Sequence, residues 1–312
     1  MTTTQLSYLV FGIVLLLAVV FDLGLLSKKN TTISIRKALW QTLFWILLAM
    51  AFCGFIWYEY GRITAVEYIS AYLMEWSLSI DNIFVFILIF TFFRIHKDHY
   101  ARVLMIGILM AIIFRIIFIT VGVALVQQFS AILYFFGAFL VYTGIKIFSV
   151  KHDDPYDPSE NVVYRQIKKF LPIIPEDISG KMTVKKNRKR YYTNIFVVII
   201  MLATTDIIFA VDSIPAVFAI TQEHLVIYSS NIFAVLGLRS LFFLLKNAIS
   251  KFKYLQQGIA IVLILIGLKM LAEIVHFYVP SWVSLLMIVV CLGGSIAVSL
   301  AAGGMREEKR AD

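Results

Sequence analysis

Runs of about 20 predominantly apolar residues recur along nearly the whole chain, the length a helix needs to cross roughly 30 Å of hydrocarbon. They stand near Leu6–Leu26, Ala38–Tyr58, Tyr68–Phe93, Arg102–Val126, Ala131–Ser149, Asn194–Ile220, Ser229–Leu245, Gln257–Val275 and Val283–Ala302. The strands of a membrane barrel would be about half as long and would alternate, which these runs do not. Composition agrees. With 61% hydrophobic and 15% charged residues, the 312-residue chain has too little polar surface to coat a water-soluble globule. The expectation is an all-α polytopic membrane protein with about nine transmembrane helices. Its first span reads as retained, since it lacks a basic leader and Asp22-Leu23-Gly24-Leu25 is no small-residue cleavage site.

A net charge of +9 raises the question of nucleic acid, and its distribution answers it. Basic residues sit in alternate loops: Lys28, Lys29, Arg36 and Lys37; Arg94, Lys97 and Arg102; Lys246, Lys251 and Lys253; and Arg306, Lys309 and Arg310 in the tail. The segment from Lys151 to Arg190 adds ten more, while the intervening loops hold only Arg62. That alternation sets an odd number of spans, with the N-terminus outside and the C-terminus in the cytoplasm. The Lys181 to Arg190 cluster fits anionic headgroups or plain topology rather than RNA. Cys53 and Cys291 both fall in apolar spans and read as core residues, not as a disulfide or a metal motif.

The third and sixth spans resemble each other. Glu75-Trp-Ser-Leu-Ser-Ile-Asp81-Asn82 aligns without a gap on Asp206-Ile-Ile-Phe-Ala-Val-Asp212-Ser213. Downstream, Arg115 lies mid-span in the fourth run and Arg239 in the seventh, and Gly144-Ile-Lys146 echoes Gly267-Leu-Lys269. Three matches in one order predict two three-helix repeats. Because three is odd, adjacent units enter the membrane from opposite sides, the inverted plan of many secondary transporters. The chain then divides into two scaffold helices (1–66), a first repeat (67–150), a basic cytoplasmic linker (151–193), a second repeat (194–276), and a final span with a cytoplasmic tail (277–312). Within the linker, Asp153-Asp154-Pro155-Tyr156-Asp157 reads as a solvated turn, since the proline and the missing glycine spoil a calcium loop.

Ionisable residues inside a membrane cost about 2.5–3.5 kcal/mol each on insertion scales and mark function by default. Lys146 is close enough to its span's end to snorkel; Lys269 can snorkel too or pair with Glu273, and Asp22 lies near Lys28 and Lys29. Glu75, Asp81, Asp206 and Asp212 remain, with Arg115 and Arg239. Acids six apart on one helix are separated by about 9 Å of rise and roughly 120° of rotation, so they cannot share an ion from an unbroken helix. Antiparallel pairing of the third and sixth spans predicts two layers instead, Glu75 with Asp212 and Asp81 with Asp206. Pro215 cannot bond to the carbonyl of Val211, which frees that oxygen for a cavity. Ser79, Asn82, Thr205 and Ser213 offer further neutral ligands.

Carboxylate, amide, hydroxyl and carbonyl groups without sulfur or imidazole suit Mn²⁺, Mg²⁺ or Ca²⁺. Four acids less two arginines leave two negative charges, which one divalent ion or two protons would neutralise. The competing interpretation is a set of buried ion pairs that glue helices together. Intramembrane aspartyl proteolysis also uses two aspartates, but Ser79-Ile-Asp81 and Ala210-Val-Asp212 replace its usual Gly-x-Gly-Asp; no enzyme activity is expected.

At Glu75-Trp-Ser-Leu-Ser-Ile-Asp81-Asn82 and Thr205-Asp206-Ile-Ile-Phe-Ala-Val-Asp212-Ser213-Ile-Pro215-Ala the sequence resembles the TerC family of bacterial membrane proteins, from about Tyr68 to Glu273. Its length and flanking spans resemble the Alx-like branch. The resemblance implies membership of the LysE-like transporter superfamily, a place in the bacterial cytoplasmic membrane, and manganese efflux, with tellurite resistance for the member that names the family. It also carries the family's acidic positions to Glu75, Asp81, Asp206 and Asp212, and its polar neighbours to Asn82 and Ser213. Phe84 stands where the second repeat has Pro215, so a helix break is expected in one repeat only. Some relatives are linked to membrane-protein assembly or stress complexes, which implies the alternative of a non-transporting scaffold.

Overall fold

The architecture was read from a computed structural model. It describes residues 3–26, 34–129, 131–149, 162–174, 181–186, 189–246, 254–275, 277 and 279–311. Some side chains within the helices, those of Asp22, Asp81, Asp212 and Glu273 among them, lie outside the described set, as do residues 153–157 of the expected turn and Lys28, Lys29, Lys251 and Lys253 of the charge pattern.

Nine helices account for most of the described chain: α1 (Thr3–Leu26), α2 (Ile35–Phe92), α3 (Tyr100–Gln128), α4 (Ile132–Ser149), α5 (Val162–Phe170), α6 (Asn194–Ile220), α7 (His224–Leu245), α8 (Leu255–Ala272) and α9 (Ser281–Ala311). Seven of them are long and apolar enough to cross a membrane; the apolar stretch of α1 is shorter, Gln5–Val20. The chain is thus an all-α polytopic membrane protein. Side chains such as Leu16, Trp40, Phe135 and Val290 are more than half exposed on the outside of the bundle, where hydrocarbon rather than water suits them.

Helix α2 is a hairpin. Gly61 has φ 86° and ψ 179°, a conformation that a side chain would strain. The chain reverses there, so that Phe52 and Tyr68 bring their ring centroids within 6.0 Å and the Cys53 thiol donates to the Ala65 carbonyl at 3.7 Å. The first arm starts at Ser34, whose hydroxyl accepts from the Lys37 N–H. The second ends with Arg94 at φ 50°, and Ile95 N–H reaches back to the Phe90 carbonyl at 3.1 Å, the left-handed stop more often built on glycine.

Helix α7 is the central element, buried along almost its whole length and apolar on all sides. Its most extensive contact is with α2. The second arm of α2 runs antiparallel to α6: Thr221 donates to Glu67 at 2.7 Å at one end, and Asn194 donates to the Phe93 carbonyl at 3.2 Å at the other. Helices α4 and α8 are also antiparallel and approach through small residues. A methyl group on Gly267 would lie 2.7 Å from the Gly137 carbonyl, and one on Gly144 would lie 2.7 Å from that of Ala260.

One end of the bundle carries Gly61, Thr221 and the α3–α4 turn. The opposite end carries a small module within the segment expected to be a linker: α5 and a three-stranded sheet of β1 (Ile173–Ile174), β2 (Thr183–Lys186) and β3 (Lys189–Thr193), ordered β1-β3-β2. Tyr164 of α5 rests against Phe93 with ring centroids 5.2 Å apart, and β3 leads directly into α6. Charge and proline content hid this module, whose strands are two to five residues long.

Candidate functional site

Four helices meet at one buried guanidinium. Arg115 of α3 donates from Nε and Nη2 to both carboxylate oxygens of Asp206 on α6, at 2.8 and 3.1 Å. Its Nη1 donates to Glu75 of α2 at 2.7 Å and to the side-chain oxygen of Asn231 on α7 at 3.0 Å. Asn231 closes the ring by donating to the other oxygen of Glu75 at 2.7 Å. All four residues are buried, and every carboxylate oxygen in the tetrad has a partner. The planar fork of arginine is the one side chain that holds two carboxylates in this way. Counted as ionised, the tetrad carries one net negative charge.

The helices place these groups by simple periodicity. Glu75 lies midway along the second arm of α2, Arg115 midway along α3 and Asp206 midway along α6; Glu75 and Arg115 reach Asn231 of α7, and Asp206 faces Arg115. Helices α3 and α6 run parallel, with Gly107 against Leu202 and Gly122 against Phe218, which brings Arg115 beside Asp206. The antiparallel frame expected for the acids is present, and Arg115 ties Glu75 to Asp206 across it. The side chains of Asp81 and Asp212, the other members of the two expected layers, lie outside the described set.

Around this closed network stands a second group with the opposite property. Ser79, Asn82, Thr205 and Ser213 are each buried, and Ser79 Oγ, Asn82 Nδ2, Thr205 Oγ1 and Ser213 Oγ have no hydrogen-bond partner. Ser77 Oγ is in the same state. They flank the acids: Ser79 lies one turn from Glu75, Thr205 adjoins Asp206, and Asn82 and Ser213 follow Asp81 and Asp212. Buried polar atoms without partners cost about 1–3 kcal/mol each, so their concentration here is a signal. Arg239 is buried on α7, the helix that supplies Asn231. Pro215 is buried within α6, leaving the Val211 carbonyl without its usual helical donor.

One expectation changes, and one residue was missed. Lys269 does not snorkel: it is buried and donates to the Ala219 carbonyl at 3.1 Å, near the C-terminus of α6, where a cation meets the negative end of the helix dipole. Lys146 is exposed on the outside of the bundle. Asn231 was not anticipated at all. It has no counterpart in the first repeat, where Gly107 occupies the aligned position, so repeat matching passed over it. The available signal was an amide following Ser229 and Ser230 within an apolar span.

On the sheet side of the tetrad, Asp206 borders a small cavity whose other walls are apolar, including Phe86, Leu104, Leu202 and Leu238. Among the described residues, no group of three or more His, Cys, Asp or Glu side chains has the geometry to hold a metal ion by itself. A cation here would need the neutral oxygens and the undescribed acids as well.

The sequence matches the profile of the integral membrane protein TerC family over residues 60–309. A membrane protein of Rickettsia felis is 40% identical over 301 residues, covering 96% of this chain and 99% of that one. A putative membrane-bound redox modulator, Alx, from Salmonella typhi is 35% identical over 309 residues, covering 96% and 95%. Its Escherichia coli namesake is 37% identical over 285 residues, covering 88% of each. No solved structure gives a significant match.

Proposed function

The chain belongs to the TerC family of integral membrane proteins, and from that premise we propose that it exports a hard divalent cation, manganese foremost, in exchange for protons. The observation that carries this reading is the set of buried, unpartnered polar atoms on Ser79, Asn82, Thr205 and Ser213 beside the acids. A dry packed core has no use for them, whereas an oxygen-rich site for a passing cation does. Glu75, Asp81, Asp206 and Asp212 supply the charge, the Val211 carbonyl a further oxygen, and Arg115 and Arg239 the counter-charges. Metal ions and protons compete for the same carboxylates, so loading one displaces the other. The cation is cargo, not a resident cofactor, and no chemical reaction is catalysed.

The antiparallel relation of α2 and α6, and the Gly137–Gly267 and Gly144–Ala260 contacts of α4 and α8, support inverted repeats that alternate access to this site. On this reading both arms of α2 and also α1 span, for nine crossings of the bacterial cytoplasmic membrane. The N-terminus lies outside, and the basic loops and C-terminus face anionic lipid on the cytoplasmic side. The Gly61 end is then extracytoplasmic.

The runner-up is a non-transporting scaffold in a stress-response complex, in keeping with the redox role in the name of the Alx relatives. It is favoured by the tetrad, which is complete without any ligand. Flux separates the two. Inside-out vesicles bearing the wild-type protein should accumulate radioactive manganese when a proton gradient is imposed, and vesicles bearing Asp212→Asn at equal membrane abundance should not. Equal uptake by both, or none by the wild type, overturns the transport reading.

A further inference from the structure

At the end of the bundle opposite Gly61, the hairpin of β2 and β3 sets like charges against each other. Register places Lys185 directly opposite Arg190, and both side chains are exposed. One step farther out, Lys186 stands opposite Lys189. Like charges facing each other across a ladder repel, so a hairpin built only for its own stability would alternate their sign. The module offers no carboxylate to relieve them. Residues 162–174, 181–186 and 189–193 hold eight Lys or Arg and, among these described residues, no Asp or Glu. An anion held between Lys185 and Arg190 turns the repulsion into attraction.

The hairpin is also pinned at the edge of the membrane span. The Thr193 hydroxyl donates to the Lys181 carbonyl at 2.6 Å, the Thr193 N–H donates to that of Met182 at 3.0 Å, and the next residue begins α6. Thr183 is paired with Tyr192, which lies two residues from Arg190 and therefore on the same face of the sheet. The Tyr192 ring packs on Phe196, in the first turn of α6, with centroids 4.5 Å apart. Aromatic side chains in this position mark the edge of the hydrocarbon. Lys185 and Arg190 stand one strand step beyond it, about 7 Å, which is the depth of the lipid headgroups.

We propose that the face carrying Thr183, Lys185, Arg190 and Tyr192 is a docking surface for the headgroups of anionic phospholipids in the leaflet at this end of the bundle. The guanidinium and the ammonium clasp phosphodiester oxygens, and the Tyr192–Phe196 pair takes the apolar part of the lipid below them. Charge and depth together favour lipid over nucleic acid, because the cations are level with the headgroups of one leaflet and continuous with an aromatic pair at its edge. The surface requires only that the bundle spans a bilayer, and it stands whatever the bundle carries. It also gives the strand that runs straight into α6, the helix of Asp206, a fixed hold on the membrane.

Thr183 is exposed on this face and serves as a reporter. Thr183→Cys takes a fluorophore, and the unsubstituted protein, with Cys53 and Cys291 in place, sets the background. The labelled full-length protein is reconstituted in phosphatidylcholine bilayers with increasing amounts of phosphatidylglycerol that bears a nitroxide quencher high on its acyl chain. Phosphatidylcholine with the same quencher is the reference. Phosphatidylglycerol should quench at the lower mole fraction, and 1 M salt, where the Debye length is about 3 Å, should abolish the difference. Lys185→Gln and Arg190→Gln should each raise its half-quenching fraction about fivefold, the worth of one basic side chain at an anionic surface. Each also relieves the cross-strand repulsion, so quenching by phosphatidylcholine should persist and show the hairpin still in place. Arg36→Gln with Lys37→Gln removes two exposed cations from the start of α2, at the same end, and should leave the preference unchanged. Equal quenching by the two lipids, an unchanged preference in both hairpin variants, or an equal loss with the Arg36 and Lys37 substitutions overturns the surface. An oligonucleotide that shifts the fluorophore's emission where phosphatidylglycerol shows no preference assigns the face to nucleic acid and overturns it as well.

Discussion

Two sets of polar groups share the middle of this bundle and are treated in opposite ways. In the tetrad of Glu75, Arg115, Asp206 and Asn231, each carboxylate oxygen has a donor at 2.7–3.1 Å. In the neighbouring set of Ser79, Asn82, Thr205 and Ser213, a buried oxygen or nitrogen on every side chain has no partner. Within the tetrad the expensive groups, the charges, satisfy one another, whereas the cheaper neutral atoms beside it go unmet. A buried ion left without its partner destabilises by about 3–5 kcal/mol, while an unmade hydroxyl bond costs about 1–3 kcal/mol. The tetrad is therefore complete without a ligand, because its charges are closed among themselves. Any ligand-dependent step has to involve the neutral set and whatever the remaining acids add.

The largest expected effect comes from opening the closed set. Arg115→Gln removes a bidentate clamp and leaves Glu75 and Asp206 facing each other in a low-dielectric interior. Stability in detergent should fall by about 3–5 kcal/mol. Adding Asp206→Asn should recover part of it, because the uncompensated charge is then gone. Thermal unfolding of the two single variants and the double variant measures the coupling. A single Arg115→Gln variant as stable as wild type would mean that the tetrad bears no weight and the comparison is mistaken.

A smaller effect belongs to Asn231, the uncharged member of the same ring. Asn231→Ala leaves one oxygen of Glu75 and one bond of Arg115 unmet while the bidentate contact to Asp206 stays. The expected loss is about 1–3 kcal/mol, the desolvation cost of one stranded group. The same unfolding assay reads it. A loss equal to that of Arg115→Gln would show that Asn231, and not the arginine, organises the site.

Helix positions and the acidic faces were legible in the sequence because hydrocarbon permits little but helices and makes each buried charge conspicuous, as with Glu75, Arg115 and Asp206. Antiparallel placement of the two acidic helices followed from the repeat. What escaped was set by contacts rather than by pattern. Arg115 bonds Glu75 and Asp206 at once because a long side chain reaches farther than helix spacing suggests. Asn231 lacks a repeat partner. Lys269 looks like a snorkelling lysine in one dimension and becomes a helix-end cap only once α6 ends beside it. The hairpin at Gly61 was placed between two spans, yet its turn is a single residue at φ 86°, tighter than apolar run lengths alone reveal. The α5 and sheet module was read as a linker because strands of two to five residues leave no periodicity to count.

The smallest effect on stability, and the sharpest test of the comparison, belongs to the unpartnered set. Ser213→Ala and Ser79→Ala each remove a buried hydroxyl that makes no bond in the metal-free protein. Its loss sacrifices no interaction and relieves a desolvation cost, so metal-free stability should stay within about 0.5 kcal/mol of wild type or rise slightly. Manganese should change the picture. At 100 times its dissociation constant, a ligand that binds only the folded state stabilises by about 2.7 kcal/mol. A variant that binds tenfold more weakly forfeits about 1.3 kcal/mol of that at the same concentration. Ser213→Ala should therefore match wild type without manganese and fall behind it with manganese, whereas Arg115→Gln and Asn231→Ala fall behind already without it. The measurement is the difference in unfolding temperature with and without the metal, variant by variant. If Ser213→Ala and Ser79→Ala keep the full manganese shift, the unpartnered atoms are not ligands, and the two sets differ only in packing.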